Sequence, residues 1–146
     1  GTAGAVSVGA ATAGSSIPTS GTATYSGHFG GASSDANGVD VITTGSASVL
    51  ADFANRSLAF STTGSKYVSP VASTPSWINK SSLDMTGTLT YSAATNSFSG
   101  AVSDSFIGSG TATGKFYGPN AEEIGGVFSL TGAGTLVHAG GFGAKK

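Results

Sequence analysis

Glycine recurs on the same face as phenylalanine and tyrosine in a chain that alternates polar and apolar residues, and no other feature constrains the fold as strongly. The alternation is clearest from Met85 to Ser92. Met85, Gly87, Leu89 and Tyr91 share one face, while Thr86, Thr88, Thr90 and Ser92 share the other. Period two marks a half-buried strand, here with a hydroxyl-rich solvent face. The same pattern groups Ala23, Tyr25, Gly27 and Phe29, then Val49, Ala51 and Phe53, then Leu58 and Phe60. It continues through Phe98, Gly100 and Val102, through Gly110, Ala112, Gly114 and Phe116, and through Ile124, Gly126, Phe128 and Leu130. A last run joins His138, Gly140 and Phe142. About eight strands follow, and no stretch keeps a helical period over two turns.

Glycine on an inward face lets a strand bend sharply, and a neighbouring aromatic ring fills the space left by the missing side chain. A sandwich would fill those positions with Val, Ile and Leu. A small barrel has a tightly curved wall and no room for a side chain at each inward position. Closure also removes the sheet edges that a Thr-rich strand would offer to other chains. The expected fold is all-β: an antiparallel up-and-down eight-stranded β-barrel with long loops at one rim.

The chain has 146 residues, 24 of them Gly, with 38% hydrophobic and only 9% charged residues. That length suits one domain, and the aromatic content argues against disorder. The expected division is a flexible N-terminal tether, or irregular edge segment, over residues 1–20 and a β-barrel domain over 21–146. Residues 1–20 are low in complexity and carry neither charge nor aromatics. The first residue is Gly and not Met, so a mature or excised domain is expected, with any signal peptide removed upstream. The net charge of −1 comes with no basic cluster, which argues against nucleic acid as a partner. No apolar run approaches the roughly 20 residues of a membrane helix. Cysteine is absent, which removes disulfides, thiolate metal sites and cysteine nucleophiles. No Ser-His-Asp order, His-Glu-x-x-His spacing or phosphate loop appears, so no enzyme activity is expected. "DANGVD" (35–40) echoes a calcium loop but lacks its bidentate Glu, and a turn at Asn37-Gly38 accounts for it.

In a meander, alternate connections emerge at opposite ends. Short links at Asn55-Arg56, at 93–96 and at 118–123 belong to one end. The connections 30–45, 64–84, 104–108 and 132–137 belong to the other, so both long loops share a rim. Binding residues concentrate on such loops. The 64–84 loop holds Tyr67, the only Trp (Trp77), Ile78, Lys66, Lys80 and two prolines. Its aromatics serve as exposed anchors or fold back as a lid over the barrel mouth.

The stretch "KFYGPNAEEIGGVFSL" (115–130) raises a separate question, because Glu122 and Glu123 stand side by side. Adjacent residues in an extended chain point to opposite faces, so two such carboxylates do not converge on one bond. A corner explains them better: Pro119 fixes a dihedral, Asn120 bonds local backbone, and the carboxylates accept from nearby amides.

With Gly114 before it and "GGFGAKK" at the end of the chain, this stretch resembles the C-terminal barrel signature of the transferrin-binding protein B-like family, surface lipoproteins and haemophores of Gram-negative bacteria. "YSGHFGG", "VLADFANRSLAF" and "GTLTYSAATNSFSG" fit that family's strand order, so the resemblance covers about 21–146. It implies an eight-stranded barrel whose loops bind iron-related ligands or host proteins without catalysis, in iron or haem acquisition. It also implies an extracellular or outer-surface location, secreted or lipid-anchored in the full-length precursor. On this likeness Gly118, Pro119, Glu123, Gly125 and Gly126 match the structural corner.

Haem ligation needs a His, Tyr or Met beside an apolar cleft. Strand parity turns His28 outward and His138 inward, which argues against a bis-His site. A single-His site at His28, assisted by Tyr67 or Trp77, is the haem reading. The ligand-binding set expected at the rim is therefore His28, Tyr67, Trp77, Ile78 and Lys80, with haem or a host or partner protein as the ligand. The remaining readings are a structural barrel of a larger surface protein and a unit recognised by an outer-membrane receptor or export machinery.

Overall fold

A computed structural model of the chain describes residues 10–34 and 37–146. Its strands are β1 (Thr22–Ser34), β2 (Asp40–Asp52), β3 (Ser57–Val68), β4 (Ile78–Asn79), β5 (Thr86–Thr90), β6 (Phe98–Ser103), β7 (Ser109–Tyr117), β8 (Glu123–Thr131) and β9 (Val137–Lys145). β1 pairs antiparallel with both β2 and β9, so that Phe29 lies opposite Gly45 on one side and Phe142 on the other. The remaining ladders run β2–β3, β3–β5, β5–β6, β6–β7, β7–β8 and β8–β9, which closes an eight-stranded barrel. The two-residue β4 is an appendage of β3.

The residues assigned inward by alternation form the core. Tyr25, Val49, Leu58, Leu89, Phe98, Phe116, Ile124, Leu130 and Phe142 are fully buried. Two inward glycines show why no side chain fits. A Cβ on Gly126 would stand 2.1 Å from the Thr113 carbonyl oxygen and 2.8 Å from the Phe142 ring. One on Gly114 would stand 2.7 Å from the Phe98 ring. The rings lie over the glycines, and the wall bends around them. Gly126→Ala is expected to cost about 1–3 kcal/mol through forced separation of β7 and β8, read as a lower urea midpoint.

The interior is packed at both ends. Ile17, Phe53 and Ala121 close the short-loop pole, while Leu83 and Ile107 close the long-loop pole, all buried. Of the segment expected to be a tether, residues 1–9 lie outside the described part. Residues 10–20 lie along the barrel. β7 extends past β6, and Thr12 N–H donates to the Phe116 carbonyl, which β6 does not reach, at 2.9 Å. Asn96 completes this seam, its Nδ2 donating to the carbonyls of Thr12 (2.7 Å) and Phe116 (2.8 Å) while Phe116 N–H donates to its Oδ1 at 2.7 Å.

The β7–β8 corner joins several parts of the chain. Gly118 has φ 93° and Ala121 φ 60°. Asn120 N–H donates to Glu122 Oε1 at 2.6 Å, so the local bond runs from its backbone amide. Thr12 Oγ1 donates to the Gly118 carbonyl and Tyr25 Oη to the Ala121 carbonyl, each at 2.6 Å. Lys146 N–H reaches the Glu122 carbonyl at 3.0 Å. Burial raises the Tyr25 phenol pKa, which keeps that donor protonated. Pro119 is exposed, Glu123 opens β8 opposite Tyr117 and Lys145, and Gly125 follows as a buried backbone position.

One expected loop is mostly strand. β1 runs on to Ser34 and β2 begins at Asp40, so the 30–45 excursion shrinks to a short connection. Its turn falls at Asn37-Gly38, with Gly38 at φ 80°; Asp35 and Ala36 lie outside the described residues. The strand ends were hidden because the barrel interior there is polar. Ser33, Thr43, Thr62, Ser65 and His138 are all buried near this end.

Candidate functional site: the long-loop rim

The connections β1–β2, β3–β5, β6–β7 and β8–β9 leave the barrel at one end, and the β3–β5 connection dominates it. Its base is anchored. A β-bulge faces Thr44 and Ser46 at Gly64 (φ 62°), and the extra residue turns Ser65 and Tyr67 inward. Ser65 Oγ donates to Asp84 Oδ1 at 2.5 Å, and Lys80 N–H donates to the Ser65 carbonyl at 2.8 Å. β4 sets Ile78 opposite Tyr67 and Asn79 opposite Lys66. A 3-10 turn (Ser81–Leu83) then drops Leu83 into the barrel mouth.

The β6–β7 loop is built on Asp104. Its Oδ1 accepts from the N–H groups of Phe106 (3.0 Å), Ile107 (2.6 Å) and Gly108 (3.1 Å), which turns Phe106 toward Lys80. Lys80 Nζ sits 3.9 Å from the centroid of the Phe106 ring, a close cation–π contact. Tyr67, Lys80, Leu83, Phe106 and Ser33 line a cleft of ≈ 40 Å³ there, room for a water molecule and little more.

Between these anchors, residues 70–77 are exposed throughout. Val71 is 80% exposed, Trp77 51% and Ile78 48%. Val39, Ile42 and Val137, also exposed, belong to the same end of the barrel. Trp77 and Ile78 therefore do not form the lid; Leu83 and Ile107 do.

The rim thus brings together Tyr67, Trp77, Ile78 and Lys80 but not His28. β1 continues six residues beyond His28, which faces solvent in mid-wall between Ser46 and Gly143. It is remote from Tyr67 and Trp77 and adjoins no loop. His138 is sealed inside: Nε2 lies 2.9 Å from Thr43 Oγ1, and the ring meets those of Phe128 (4.9 Å) and Phe29 (6.0 Å). Burial pushes its pKa down from 6.5 to about 4. Among the described residues no cluster of His, Cys, Asp or Glu could hold a metal ion. Sequence reasoning missed Val71, Phe106, Asp84 and Asp104. Asp104, four residues before Gly108, offered a turn signal; Val71 and Phe106 offered none.

The closed barrel has a packed interior, stapled loops and an exposed apolar crown, and among the described residues no helix is long and apolar enough to cross a membrane. The chain belongs to the family of the C-lobe and N-lobe beta barrels of Tf-binding protein B, whose model matches residues 17–146. It is a binding-protein barrel and not an enzyme. Among solved structures it resembles a transferrin binding protein B mutant from Haemophilus parasuis, at 21% identity and a TM-score of 0.64, covering 92% of this chain and 28% of that one. It also resembles transferrin binding protein B from Neisseria meningitidis (22% identity, TM-score 0.57, 88% and 26% coverage). A third likeness is to the N-lobe domain of lactoferrin binding protein B from Moraxella bovis (19% identity, TM-score 0.53, 88% and 60%). The chain thus spans little more than a quarter of the two transferrin-binding structures. No curated protein matched the sequence.

Proposed function

We propose that the chain is the barrel of a cell-surface binding protein of the transferrin-binding protein B type, acting in bacterial iron acquisition and engaging a partner protein through its long-loop rim. One observation carries this reading: Val71, Trp77 and Ile78 stand exposed on a loop whose two ends are held by β3–β4 pairing and the Ser65–Asp84 bond. Exposed aromatic and aliphatic anchors on a pre-formed loop lose little conformational entropy on binding, and such residues dominate interface energies. A host iron-carrying protein of the transferrin or lactoferrin type is the first partner to test, in keeping with what the similar structures are named for. The haem reading has no comparable support, since His28 lies on the open outer wall and both Met85 and His138 are sealed in the core.

Binding of the full chain to immobilised transferrin and lactoferrin tests this directly. The double substitution W77A/I78S is expected to weaken partner affinity by at least about tenfold, while stability changes by no more than about 0.5 kcal/mol. Unchanged affinity in that variant would remove the rim from the reading.

A further inference from the structure

We propose that the opposite, short-loop pole carries a second binding site, for a small single-ring carboxylate. There the segment before β1 bridges the barrel end, and a cavity of ≈ 130 Å³ lies between it and the wall. Ile17, Pro18, Phe53 and Tyr91 give it apolar and aromatic surfaces, and Arg56 and Ala94 are among the other residues that line it. An engineered apolar cavity of about 150 Å³ admits benzene, so the space here suits one ring.

The charge of the site comes from Arg56. Its guanidinium makes no hydrogen bond or ion pair with any described residue, although its charge acts on the Tyr91 phenol. The carboxylate of Asp52, which also acts on Tyr91, is already engaged: Asn55 Nδ2 donates to Oδ2 at 2.8 Å and Asn55 N–H to Oδ1 at 3.2 Å. Tyr91 Oη is buried with no hydrogen-bond partner among the described residues. A carboxylate bound by the ring-lined cavity would meet an unpaired guanidinium suited to it by shape and charge.

The backbone gives an independent sign. Arg56 has φ 53° and Ala94 φ 57°, a conformation that side-chain-bearing residues adopt at a cost of about 1–3 kcal/mol. Gly or Asn would make either turn more readily. At Arg56 the strain is accepted although the side chain makes no hydrogen bond or ion pair with any described residue, which is the pattern of a position kept for a ligand. This pole is separate from the rim, so the site does not depend on the proposed partner.

Titrating benzoate into the full chain, with backbone amide resonances followed by NMR, tests the proposal. Saturable shifts confined to the amides around the cavity, those of Ile17, Phe53, Arg56, Tyr91 and Ala94 among them, are expected. Arg56→Asn keeps the left-handed turn without strain and removes the charge, and it should raise the benzoate Kd at least tenfold. Benzyl alcohol, which keeps the ring but not the charge, should bind the unmodified chain at least tenfold more weakly than benzoate, a comparison that needs no variant. Absence of saturable shifts, equal Kd values for Arg56→Asn and the unmodified chain, or equal binding of the two ligands would each overturn the assignment.

Discussion

Replacing Phe116 by Ala is expected to destabilise the barrel by about 3–5 kcal/mol. Phe116 is fully buried on β7, and its ring meets those of Tyr91 at 5.3 Å, Phe98 at 5.4 Å, Phe53 at 6.2 Å and Tyr25 at 6.3 Å. Those partners come from β1, β6 and the ends of β2 and β5, on different sides of the wall. Each is tethered to its own strand, so the rings cannot all close on the vacated space, and a cavity remains. Two of the contacts, with Tyr91 and Phe98, are edge-to-face, which adds stabilisation beyond buried area. The urea midpoint should fall with little change in slope, and the melting temperature should drop by roughly 10 °C. A loss below about 1 kcal/mol would mean that this aromatic cluster does not hold the short-loop half together.

Acidification should weaken the fold through His138. The folded-state pKa lies near 4 and the ordinary value is 6.5, because burial disfavours the imidazolium. Between those values the unfolded chain takes up a proton that the folded chain refuses. Stability therefore falls as pH drops from 6.5 toward 4, by up to about 3 kcal/mol, and is fully present above the ordinary value. Thr43 Oγ1 can serve the neutral ring at Nε2, whereas Nδ1 has no partner among the described residues and would hold a buried N–H⁺ with none. Carboxylates also titrate in this range. Comparison with His138→Leu, which cannot titrate, isolates the imidazole: the unmodified chain should lose stability more steeply than the variant across that window. Parallel pH profiles would show that the ring gains access to water when charged.

How far the sequence could be read follows from what its residues had to do. Alternation revealed the inward face wherever the interior is apolar, as at Leu89, Phe98 or Phe128. It failed at 30–34 and 40–45, where the interior is lined by Ser33, Thr43 and His138 and small polar residues resemble a loop. That misreading moved His28 from mid-wall to the rim and grouped it with Tyr67 and Trp77. That Tyr67, Trp77, Ile78 and Lys80 lie at one rim was legible because aromatics and prolines stand out in a polar loop. Phe106 was not, since it stands in a different loop and only the fold brings its ring under Lys80.

The residues alone determined the barrel: glycines opposite phenylalanines leave a wall no choice but to curve, and strict alternation names its inner side. They also determined which connections share an end, since a meander must alternate. Tertiary structure decided the rest. The bulge at Gly64 turned Tyr67 inward, the 10–20 segment filled a seam left by unequal strand lengths, and Leu83, not Trp77, closed the mouth. Each of these depends on where a neighbouring strand ends, a non-local quantity that no window of sequence contains.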